Sequence, residues 1–189
     1  MKRFFLFSFI FLLPSFLIWH SLAPVIALPI GWVIQKIFIT FWPVLFSGIE
    51  INESAIFIQM ALGDLTGKIL PEAVAGNRLA FNIDTRLVTY ALPFFSSLYL
   101  ALPSGSFYNH IAGLVSLWIL CIPTTLIVCL KEVLVIIGPE FFQKIVVFPP
   151  DLIVFFYQFS VLLFPTLGPI VGLGLLISFQ NASKKPLGS

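Results

Sequence analysis

The chain has 189 residues, 59% hydrophobic and 10% charged, and its mean hydropathy is +1.08, whereas a soluble domain carries about 25% charged residues. These values exclude a water-soluble fold. A net charge of +2 is too small, and too concentrated at the termini, for nucleic-acid binding. Residues 4–35, 87–130 and 152–183 contain no Asp, Glu, Lys or Arg. At about 20 apolar residues per crossing these runs predict roughly four transmembrane helices, so the fold class expected is a mainly α membrane protein.

Met1-Lys2-Arg3 followed by FFLFSFIFLLPSFLIW is a basic start running into an apolar core, the pattern of a signal peptide or signal anchor. Pro24 directly follows the nearest small-residue cleavage site, Ser21-Leu22-Ala23, which favours an uncleaved anchor. The first span is expected at 4–22, closing on Trp19 and His20 at the interfacial belt. Residues 23–46 are apolar but carry Pro24, Pro29, Lys36 and Pro43. They are read as an interfacial helix with Lys36 snorkelling, or else as an extra span.

From 47 to 86 the pattern changes. Eight of the eighteen charged residues fall between Glu50 and Arg86. Ile49 and Ile51 alternate with Glu50 and Asn52; Leu79, Phe81 and Ile83 alternate with Arg78, Asn82 and Asp84. Period two predicts half-buried strands, hence a small extracytoplasmic β-sheet after the first span, with Gly48, Gly63, Gly67 and Gly76 as turn residues. Spans are then expected at 87–102 and 110–130, divided by Pro103-Ser104-Gly105-Ser106. An extracytoplasmic loop is expected over 131–151 and a last span over 152–179 with Pro165 and Pro169 inside it, before a tail at 180–189. Lys2-Arg3 and Lys184-Lys185 put both termini in the cytoplasm.

Candidate chemistry is sparse. A membrane sorting protease of the exosortase type orders Cys, Arg and His along the chain, whereas no Arg or His follows Cys121 or Cys129. The two cysteines are expected as buried small residues, neither paired nor zinc-binding. His20 and His110 fall at opposite membrane faces, so no metal site and no cofactor is expected. The best polar constellation is Arg78, Asn82, Asp84, Arg86 and Tyr90. It forms either a strand-end ion pair with Asp84 capping a helix, or a partner-contacting surface. In the last span Tyr157 and Gln158 are expected to make helix–helix polar contacts, with recognition as the other reading. Gly172 and Gly174 are expected to allow close helix packing.

Three stretches, FLLPSFLIW (11–19), FNIDTRLVTYALPFFSSLYLALP (81–103) and YQFSVLLFPTLGPIV (157–171), occur in an order that resembles the exosortase H-associated membrane proteins. Ile83-Asp84 stands where that pattern has Asn-Pro, and Ala91 where it has Gly. The resemblance implies a non-enzymatic accessory of a bacterial protein-sorting system in the cytoplasmic membrane. Its expected partners are the lipid bilayer and an exosortase-like protease or its client. The residues alone leave two other classes open, a small subunit of a conjugation or secretion machine and an oligomeric channel or transporter subunit.

Overall fold

The structure is a computed structural model that describes residues 2–43, 46–60, 79–103 and 106–183. Arg78, the expected turn residues Gly63, Gly67 and Gly76, the Ser104-Gly105 pair, and Lys184 and Lys185 lie outside the described residues.

Helix α1 runs without a break from Lys2 to Phe41, where the sequence reading placed a span at 4–22 and a separate helix at 23–46. Pro14, Pro24 and Pro29 all lie inside it. Each proline removes only one i→i−4 hydrogen bond. In an apolar setting the rest of the backbone has no other partner, so the helix persists through them. At 1.5 Å per residue α1 is about 60 Å long, twice the roughly 30 Å hydrocarbon thickness. Its upper half therefore rises alongside the sheet. Ala23, Ala27, Ile30, Ile34 and Phe38 form a buried stripe at helical spacing.

The sheet is antiparallel in the order β1-β2-β3, with β1 at Phe46–Asn52, β2 at Ala55–Met60 and β3 at Leu79–Asp84. Alternation decides its two faces. Ile56, Ile58, Met60 and Ile83 are buried, and Ile51 lies against Gly31 of α1, where any Cβ would meet its side chain. Glu50, Phe57 and Asn82 stand on the other face, Glu50 opposite Phe57 and Phe57 opposite Asn82. The β1–β2 turn is Glu53-Ser54, with Glu53 at φ 53°, a left-handed position without glycine. Gly48, expected at a turn, sits inside β1 at a register irregularity instead.

Beyond the sheet, the stretch expected as a span at 87–102 forms two consecutive helices, α2 (Arg86–Thr89) and α3 (Ala91–Leu100). Together they are about 22 Å long. Among the described residues three helices are long and apolar enough to cross a membrane, Arg3–Phe41, Phe107–Ile137 and Pro150–Ser178. The short helix is central to the bundle: Val88, Ala91, Leu92, Phe95 and Tyr99 are all buried, and α3 packs on α1, α4 and α7.

Helix α4 (Phe107–Ile137) returns antiparallel to α3. Val88 lies near Cys121, Phe95 against Gly113, and the Tyr99 hydroxyl donates to the Ser106 carbonyl at 2.8 Å. It continues six residues past Lys131, into the stretch expected as loop, because Val133 and Leu134 are buried. It stops at Gly138, whose φ of 80° suits glycine, and Pro139 opens the short α5 (Pro139–Ile145). The last rod is α6 (Pro150–Gln158), one π turn (Phe159–Leu163) and α7 (Phe164–Ser183).

Glycine packing differs from expectation. The close approach is at Gly113, where a Cβ would strike the Phe95 ring, and at Gly31. Gly172 makes only ordinary contact with Phe95, and a Cβ at Gly174 would meet nothing within 4 Å.

Candidate functional site

The polar residues around the sheet separate into a locked group and an open face. Locking begins where β3 ends. The Thr85 backbone N–H and hydroxyl both donate to the Ser54 carbonyl, at 2.9 and 2.8 Å. This double bond ties the β1–β2 turn to the start of α2, and Ser54 and Thr85 are buried at the joint.

Next to it, Asp84 accepts the Arg86 backbone N–H at 3.0 Å and the Arg86 Nε at 3.0 and 2.9 Å, with Nη2 2.7 Å from Oδ2. One carboxylate thus caps the first turn and grips the guanidinium in a fork. Partial burial works to raise the Asp84 carboxyl; the Arg86 hydrogen bonds and charge, helped by Ser54, outweigh it and hold the carboxyl below its ordinary value. Both side chains remain partly exposed, at 38% and 41%, so the pair holds local geometry more than it contributes stability.

The open face lies on the outer side of the sheet. Asn82 and Glu50 are exposed and Phe57 is half-buried between them in the register. Gln59 Nε2 donates to Glu50 Oε1 at 3.1 Å across the β1–β2 pair. An aromatic set among short polar side chains, on a sheet fixed to membrane helices by its other side, is a surface suited to protein contact.

Tyr90 turns away from this face. Its hydroxyl donates to the Val161 carbonyl in the π turn at 3.5 Å, near the limit for such a bond. Pro165 explains why that carbonyl is available: four residues on, it has no N–H to offer. On α6, Tyr157 receives the Lys131 ammonium over its ring at 4.9 Å, and Lys131 also binds Glu132 at 2.8 Å. Gln158 is exposed. The predicted constellation is therefore divided, with Asp84 and Arg86 joined, Asn82 outward on the same strand, and Tyr90 in the bundle.

Sequence reasoning missed Ser54, Thr85, Phe57 and Lys131. Only Thr85 carried a signal, a hydroxyl residue at a strand–helix junction; its partner Ser54 is 31 residues away. Cys121 and Cys129 are free and buried. Among the described residues no three His, Cys, Asp or Glu side chains gather as metal ligands would.

The family model for the exosortase H-associated membrane proteins matches residues 1–177. The chain belongs to that family. Its apolar helices agree with a membrane protein, and the family's printed description associates it with an exosortase. No curated protein and no solved structure matches the chain.

Proposed function

We propose that this exosortase H-associated protein is a non-enzymatic accessory of protein sorting in the bacterial cytoplasmic membrane. It acts by presenting the outer face of its sheet to the exosortase or to that enzyme's client. In this reading the chain crosses four times, through α1, through α2–α3, through α4 and through the α6–α7 rod. Lys2, Arg3, Lys184 and Lys185 keep both termini cytoplasmic, and the sheet stands outside. The α2–α3 crossing is short, but three longer helices shield it and the bilayer accommodates the mismatch.

The observation carrying the proposal is the contrast between the faces of one sheet. Ile51, Ile56 and Ile83 lock it to the bundle, while Glu50, Phe57 and Asn82 point away from it. A partner anchored in the same bilayer meets that face without a search in three dimensions. An extended client segment has a second way to bind, by adding a strand to a sheet edge. A catalytic role has little support, since the two thiols are buried and no Arg or His follows them in the chain. A pore within one copy also has little, since α3 fills the middle of the bundle.

Photo-crosslinking tests this directly. A photoreactive residue placed at Asn82 or Phe57 in cells containing the exosortase is expected to form an adduct with the exosortase or its client. One placed at the exposed Tyr108, at the opposite end of α4, is expected to form none. Adducts from Tyr108 with none from the sheet would reject the proposal.

A further inference from the structure

Between α1, α3 and α4 lies a cavity of about 440 Å³ that opens sideways toward the bilayer. It runs from Ser15 to Ile26 along α1 and from His110 to Trp118 along α4, a length of roughly 12–16 Å at 1.5 Å per residue.

The two ends differ. At the end nearer the α3–α4 loop, Ser96 Oγ and His110 Nε2 are 3.2 Å apart and Tyr99 stacks flat on the His110 ring, centroids 5.0 Å apart. The opposite end is closed by Trp118, whose indole N–H donates to the Ile26 carbonyl at 3.4 Å. The walls between, including Leu22, Leu114 and Val115, are apolar.

We infer that this slot holds one acyl chain of a bilayer phospholipid, ester end toward Ser96 and His110 and methyl end under Trp118. Two features support this. The length matches one leaflet, about 15 Å of the roughly 30 Å hydrocarbon core, whereas a transmembrane partner helix would need a groove running through both. The Ser96–His110 pair sits at one end of an otherwise apolar slot, the arrangement that the ester oxygens of a chain held that way round require. On the topology proposed above, the lipid belongs to the inner leaflet; the slot itself does not depend on that reading.

The test uses the full chain in vesicles of phosphatidylethanolamine and phosphatidylglycerol. These carry a trace of phosphatidylcholine with a photoreactive diazirine either near the ester or near the chain end. Adducts mapped by mass spectrometry should concentrate at Ser96 and His110 with the shallow probe, and at Leu22 and Leu114 with the deep one. Ser96→Phe, which fills the slot, should lower slot adducts several-fold and leave those on the outward-facing Leu13 unchanged. Val115→Trp, at the exposed rim, repeats the test without altering α3. Identical patterns from both probes, adducts that follow exposure with Leu13 ahead of the slot, or slot labelling that survives both substitutions would each overturn the inference.

Discussion

The two halves of α1 are both strongly apolar, yet only the upper one has a face buried by the rest of the protein. Below Ala23 the helix shows Phe5, Phe9, Leu13 and Leu17 to the outside, each more than half exposed. Above it, Ile30, Ile34 and Phe38 are completely covered, Phe38 by Phe46 at a ring separation of 4.2 Å. Apolar surface that faces lipid gains little from a protein cover, since lipid is as apolar as leucine. The inner stripe of the upper half is covered instead by the sheet, through Ile51 against Gly31 and Phe46 against Phe38.

Breaking the upper contact should cost most. Phe38→Ala is expected to destabilise the protein by about 3–5 kcal/mol, the usual range for deleting a buried aromatic ring. Leu13→Ala, in the lower half, should stay within about 0.5 kcal/mol. Thermal unfolding of both variants in the same lipid nanodiscs checks the difference, and equal losses would remove the distinction between the halves. Gly31→Leu is expected to cost about 1–3 kcal/mol by overpacking against Ile51. Limited proteolysis should show the sheet opening before the bundle.

The next effects are smaller. Thr85→Val keeps the shape but deletes the hydroxyl bond to the Ser54 carbonyl, at a cost of about 1 kcal/mol. Its mark should be faster hydrogen exchange at the β1–β2 turn, with α1 below Ala23 unaffected. The smallest effect concerns pH. Because the folded Asp84 carboxyl titrates below its ordinary value of 3.8, the unfolded chain binds the proton more readily. Its contribution is therefore fully present above that value and disappears as pH falls through the lower, folded one. An Asp84→Asn variant should lack this acid-dependent loss, measured as sheet protease sensitivity between neutral and strongly acidic pH.

Strands at 46–60 and 79–84 were legible because the alternation of Ile49, Ile51, Phe81 and Ile83 with polar neighbours needs nothing beyond the local chain. Their turn was not: Glu53-Ser54 carries no glycine, and it is held from outside by Thr85. Joining 4–22 and 23–46 into one helix escaped the sequence because prolines signal breaks in water, where the backbone can bond to solvent. At the candidate site, Asp84 and Arg86 were recognisable as a pair two residues apart. Lys131 over Tyr157 was not, since the contact forms only when α4 outruns its expected end.

Sequence alone determined the solvent of this protein, the existence of its sheet, the face each strand residue takes, and the family to which the whole belongs. These follow from charge distribution, period and local order, which act along the chain. Tertiary structure decided that α1 is continuous, that the short α3 sits at the centre, that Tyr90 serves the π turn instead of the outer face, and that an apolar slot opens between three helices. Each of these depends on which segments meet across the bundle, and burial energies between distant segments leave no periodic mark in either partner.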